Sequence, residues 1–144
     1  MVTTQKNLNN NNQLKIAFES LDSSVEYIDH LNGMIKKLLA HYHQNELDLL
    51  HNELLEIIDF MDLYIQLMTK VYSLLRTNFP ELNFKTDSIV ALEVQLLGIV
   101  KALLVAKEKN DLLMLCDLLE YELVDNLTQW KIKALPELKK LKSI

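Results

Sequence analysis

Four stretches of the chain carry apolar residues at alternating three- and four-residue steps, the spacing that lines up one face of an α-helix. The first covers about residues 13–43, where Leu14, Phe18, Leu21, Val25, Ile28, Ile35, Leu39 and Tyr42 keep the period and Asn32 fills its one polar slot. Asp22, Ser23 and Ser24 change the composition but not the phase, so the helix is expected to continue through them. The second, about 46–76, is stricter: Leu47, Leu50, Leu54, Ile57, Met61, Tyr64, Met68, Val71 and Leu75 follow without a miss. Each of the two spans about 45 Å at a rise of 1.5 Å per residue. The short turn His43-Gln44-Asn45 makes them an antiparallel hairpin with a coiled-coil-like seam. Asn45 is the expected cap of the second helix, with Glu46 favourably placed at its positive end.

Residues 77–85 contain Pro80 and lose the period, which predicts the main linker, with Phe79, Leu82 and Phe84 folding back over one end of the helices. The third helix, about 87–109, carries Ile89, Leu92, Leu96, Ile99, Leu103 and Ala106 on one seam. Val90, Val94, Leu97, Val100 and Leu104 widen it almost all round. A helix so apolar is expected to be central or to face another subunit. Gly98 in its interior reads either as a close helix crossing or as a tolerant site, and Gly33 in the first helix reads the same way. After a turn at Asn110 and Asp111, with Asp111 as cap, the fourth helix covers about 111–134 with Leu112, Leu115, Leu119, Leu123, Leu127 and Trp130 as its buried stripe. Pro136 is expected to end it or to start a final turn.

The pattern therefore predicts an all-α fold, an antiparallel up-down-up-down four-helix bundle over residues 13–135. A disordered asparagine-rich leader (1–12) precedes it and a short basic tail (136–144) follows. Composition narrows this further. With 144 residues, 49% of them hydrophobic and 24% charged, the chain suits one globular core. Two glycines and two prolines leave few tight turns, in keeping with long helices. The lone Cys116 lies in an apolar run and reads as a buried thiol in a reducing compartment. The leader lacks the charge and apolar run of a signal peptide, and Glu93, Gln95 and Lys101 interrupt the most apolar stretch, so a cytoplasmic protein without a membrane span is expected. A net charge of -5 argues against nucleic acid as a partner.

Candidate chemistry is sparse. The four histidines, His30, His41, His43 and His51, cluster with carboxylates in the first two helices. Carboxylate-bridged metal bundles use Glu-x-x-His pairs, however, and the nearest match is Asp48-x-x-His51. No metal or other cofactor is expected. Glu120 and Glu122 flank Tyr121, but residues two apart on a helix diverge by about 200° and cannot share a substrate atom. Because Leu119 and Leu123 bracket them, one glutamate is expected at the buried face, paired with a donor such as Lys101 or a tyrosine hydroxyl. Five acidic residues between Asp111 and Trp130 are followed at once by Lys131, Lys133, Lys139, Lys140 and Lys142. Such a step fits a helix dipole and a solvated face, or a basic tail that touches an acidic partner. With no phosphate-binding loop or nucleophile motif, enzymatic activity is not expected.

The segment Asp111-Leu-Leu-Met-Leu-Cys-Asp-Leu-Leu-Glu-Tyr-Glu-Leu123, with the later Trp130, resembles the closing motif of an uncharacterised helical-domain family of Gram-positive bacteria. The resemblance implies a small bacterial bundle in which Tyr121 and Trp130 anchor the fourth helix; it implies no activity. The expected function is a protein–protein interaction module with a protein partner or self-association as a homo-oligomer. A secretion or flagellar-type chaperone is the alternative, and a metal-binding bundle a third reading.

Overall fold

Scarce glycine and proline leave the periodic stretches uninterrupted, and each folds as a long helix. The computed structural model describes residues 2–144 along the backbone, with side chains from residue 11 onward. The described chain is all-α, with four helices: α1 (Val2–His43), α2 (Leu50–Asn78), α3 (Asp87–Glu108) and α4 (residues 112–143). A 3-10 turn, Leu47–Leu49, leads into α2. The backbone of α1 is helical from Val2, so the stretch expected to be a disordered leader continues the helix instead.

Two asparagines do the work that glycine usually does at helix ends. Asn45 and Asn110 hold φ of 61° and 53°, the left-handed conformation that closes a helix. The Glu46 amide donates to the His41 carbonyl at 2.8 Å, and the Asp111 amide donates to that of Ala106 at 2.9 Å, the six-to-one bond of such a turn. Asn45 therefore terminates α1 and does not cap α2, because its backbone already points away from the helix it precedes. Asp111 is the cap the sequence predicted, its carboxylate accepting from the Met114 amide at 3.1 Å.

Side-chain contacts join neighbouring helices at several heights. Between α1 and α2, His41 meets Glu53 while Ser24 meets Met68. Between α1 and α4, Asp29 meets Lys131 and Asp22 meets Lys139. Asn126 of α4 reaches Leu92 and Gln95 near the start of α3. The predicted seam of α2 is buried except Leu47, which is 42% exposed because the preceding 3-10 turn carries it outside. In α1 the deepest positions are Ala17, Leu21, Ser24, Ile28, Leu31, Ile35 and Leu38, a stripe rotated from the predicted one. Leu14, Phe18, Val25, Leu39 and Tyr42 pack at its edge. The rotation follows from α1 lying against both α2 and α4, so that its buried direction bisects the two. Each such buried Leu or Ile contributes about 1.5–3 kcal/mol.

The linker folds back as expected through Phe79 and Phe84, with Phe84 stacked on Tyr72 at 6.1 Å; Leu82 stays exposed. Lys85 lies 4.5 Å from the centre of the Tyr72 ring and 3.0 Å from Glu93, which ties the linker to the start of α3.

In α4 the buried Leu115, Leu119, Leu123 and Leu127 step by four. In a regular α-helix that stripe would drift by about 40° per step. Two π-type segments, Leu118–Leu123 and Trp130–Ala134, take up the excess by fitting an extra residue into the turn. The helix consequently keeps one face inward as far as Leu138 and passes through Pro136, which sits in the first turn after the second wide segment. The expected tail is thus the last part of α4. The π-type geometry also moves side chains: Glu120, Tyr121 and Glu122 all point to solvent, Tyr121 at 67% exposure, while Trp130 is 1% exposed and packs edge-on against Tyr64 at 5.8 Å. Trp130 anchors α4 and Tyr121 does not. Trp130→Ala is accordingly expected to destabilise by about 3–5 kcal/mol. Tyr121→Ala should stay within about 0.5 kcal/mol of the parent. Urea titrations followed by circular dichroism measure both.

Candidate interaction surface

Helix α3 divides its apolar residues between two opposite faces. Ile89, Leu96, Ile99, Leu103 and Ala106 are buried, while Val90, Val94, Leu97, Leu104 and Val105 are between 42% and 64% exposed. By length and composition α3 could cross a membrane, yet its inner face belongs to the same core as the other three helices, and Asn126 bonds its backbone at Leu92. Of the two expected placements, central or facing another subunit, the central one does not form within the single chain. The helix lies at the side of the core, with an apolar stripe facing outward.

Lys101 and Gly98 lie on that outer side, both exposed. Lys101 pairs with neither Glu120 nor Glu122, which sit in solvent on α4, and it makes no ion pair among the described residues. A Cβ on Gly98 or Gly33 would meet nothing within 4 Å, so neither glycine marks a close crossing inside the chain. The reason is the same for both: each stands on a face no neighbouring helix covers closely.

Where α2, α3 and α4 meet, the hydroxyls of Tyr64 and Tyr72, the Trp130 ring N–H and one carboxylate oxygen of Glu93 are buried without a hydrogen-bond partner among the described residues. These residues line a small cleft whose walls include Ile65, Met68, Leu96 and Leu97, and whose volume is about 60 Å³. Burial first, then the Glu93 charge, pushes both phenols well above the ordinary tyrosine range. Both are therefore protonated at neutral pH. One carboxylate oxygen of Glu93 accepts from Lys85, and the Tyr72 hydroxyl faces the same carboxylate without reaching hydrogen-bonding geometry.

The histidines do not converge. His41 joins Glu53 at 2.6 Å through Nδ1 and approaches Glu46 at 3.8 Å through Nε2, a clasp across the α1–α2 turn, while His30 packs on Phe60 at 4.6 Å. Among the described residues no group of three His, Cys, Asp or Glu is placed to hold a metal ion. Two of the five lysines in the basic part of the α4 step are paired with α1. Lys131 donates to Asp29 at 2.6 Å and Lys139 pairs with Asp22, whose carboxyl is held below its usual range first by the hydrogen bond from Lys139 and then by its charge.

Sequence reasoning missed Asn126, which is fully buried and donates from Nδ2 to the Leu92 carbonyl at 3.1 Å and to Gln95 at 2.9 Å. Its place beside Leu127 in the buried stripe was the available signal. Cys116 is buried, as read, and its thiol is pushed up to about 11 by burial and then by Asp117 and Glu120.

Two expectations follow. A thiol reagent at pH 8 should modify Cys116 far more slowly in the native chain than in urea; equal rates would mean the thiol is open. Because the Tyr64 hydroxyl has no partner, Tyr64→Phe should leave stability unchanged or raise it by up to about 1 kcal/mol in urea titrations. Raised phenol pKa values also have a pH consequence. Above the free tyrosine value of about 10 the unfolded chain loses protons that the folded chain keeps, so stability should fall as pH rises from there, and less steeply in Tyr64→Phe.

No curated protein and no solved structure matches the chain. A family model does: it covers residues 19–133, from α1 into the second π-type segment of α4, and so includes both the inner and outer faces of α3 and the Trp130 anchor. The chain belongs to the family described as Domain of unknown function (DUF8042).

Proposed function

We propose that the chain is a non-catalytic protein–protein interaction module: an antiparallel up-down-up-down four-helix bundle, working in the cytoplasm, that docks a protein on the outer face of α3. One observation carries this reading. Val90, Val94, Leu97, Leu104 and Val105 stand exposed on one side of a helix whose opposite side is fully employed in the core. Burying a side chain of this size is worth about 1.5–3 kcal/mol, so leaving five of them in water forgoes a gain that a partner would recover. Lys101 in the middle of the stripe and Glu108 at its end favour a protein partner over the hydrocarbon of a bilayer, where a charge at the centre of a helix is expensive. Glu120 and Glu122 diverge into solvent, and Lys131 and Lys139 are already paired with α1.

Site-specific photo-crosslinking in the producing cells tests the proposal. A photoreactive residue in place of Val94 should give discrete protein adducts, and the same residue in place of Glu19 on α1 should not. Adducts at both positions alike, or adducts to lipid only at Val94, would overturn it. Adducts confined to one exported protein would turn the reading toward a client-specific chaperone.

A further inference from the structure

A polar atom buried without a partner is destabilising, and several of them gather at one cleft: the hydroxyls of Tyr64 and Tyr72, the Trp130 ring N–H and one carboxylate oxygen of Glu93. Tyr64 and Trp130 are 1% exposed and Tyr72 is 6% exposed, so bulk solvent does not serve them. Trp130 also opens the second π-type segment of α4, and π-type turns recur at functional sites. We infer that the cleft is a binding site for a small uncharged molecule that both donates and accepts hydrogen bonds, with a primary carboxamide as the group whose bonding capacity matches it.

Charge, bonding capacity and size select that class. Glu93 is the one carboxylate among the lining side chains, and its other oxygen already meets the Lys85 ammonium at 3.0 Å. Lys85 also covers the Tyr72 ring at 4.5 Å. A second cation would crowd Lys85 and an anion would face Glu93, so neither recovers the hydration it gives up. The Glu93 oxygen can only accept, the Trp130 N–H can only donate, and each protonated phenol can do either. A carboxamide oxygen accepts two bonds and its NH2 group donates two, one for each of the unpartnered groups. Thr69 at the rim adds no further demand, because its hydroxyl donates to the Ile65 carbonyl. The cleft holds about 60 Å³, roughly twice the 30 Å³ share of a liquid water. One water would match the hydrogen bonds and leave half the space, and a second would face Ile65, Met68, Leu96 and Leu97. In a small amide the alkyl stem takes that apolar place.

Trp130 is the one tryptophan of the chain, so the nitrogen-15-labelled full chain gives a single indole N–H signal that reports on this cleft. Acetamide is the probe. A ligand of its size binds no more tightly than about 0.05 mM, so the titration runs through the millimolar range. Acetamide should move the indole signal along a saturating curve, while acetate and methylammonium at the same concentrations should not. Tyr64→Phe and Tyr72→Phe should each weaken acetamide binding at least threefold with an unchanged helical spectrum, and Leu113→Ala, far out on the surface, should leave it as it is. A shift that grows without saturating, an equal shift with acetate or methylammonium, or an unchanged Kd in both tyrosine variants would overturn the inference. So would magnetisation transfer from long-lived water to the indole proton with no shift on adding acetamide, since water alone would then serve these groups.

Discussion

Everything in this chain depends on how α4 keeps one face inward over its whole length. Its buried leucines are spaced four apart, wider than an α-helical turn, and only the π-type segments at Leu118–Leu123 and Trp130–Ala134 keep that stripe from spiralling away from the core. With the stripe held straight, Leu119, Leu123, Leu127, Trp130 and Leu138 form a continuous ridge. On one side of it α1 packs and pairs Asp29 and Asp22 with lysines of α4, and on the other α3 packs and is pinned by Asn126.

The polar interactions that accompany this packing have different weights. Lys131 with Asp29 and Lys139 with Asp22 lie at the surface, where solvent screens an ion pair, so they guide the approach of α4 to α1 more than they hold it. Asn126 is another matter. A fully buried amide in a leucine stripe must find partners, and the Leu92 carbonyl and Gln95 fix the height at which α3 sits against α4. The unpartnered tyrosine and tryptophan groups near Glu93 contribute apolar surface and edge-to-face packing, with their polar ends neutral and enclosed.

The position of α3 then determines what the molecule presents. Pinned by its inner face, it cannot turn its second seam inward, and no other element among the described residues covers that seam. The exposed valines and leucines are a consequence of a helix carrying more apolar residues than a single neighbouring ridge can cover.

The sequence by itself determined the helical class, the limits of the third helix, the seam of α2, the inner seam of α3, the Asp111 cap and the burial of Trp130 and Cys116. Each follows from local periodicity or from a residue acting on its own backbone, and neither needs a neighbour. The four-step spacing around Leu119 was visible as well, but its effect was not, because a wide spacing can be met by drift or by π-type turns and only the presence of α1 and α3 on both sides decides between them. That choice sent Glu120, Tyr121 and Glu122 into solvent against expectation. Tertiary structure likewise settled the rotated stripe of α1, the pairing of the lysines with Asp22 and Asp29, and which seam of α3 faces out. These are properties of two surfaces meeting, and a pattern read along one helix holds no information about what lies across from it.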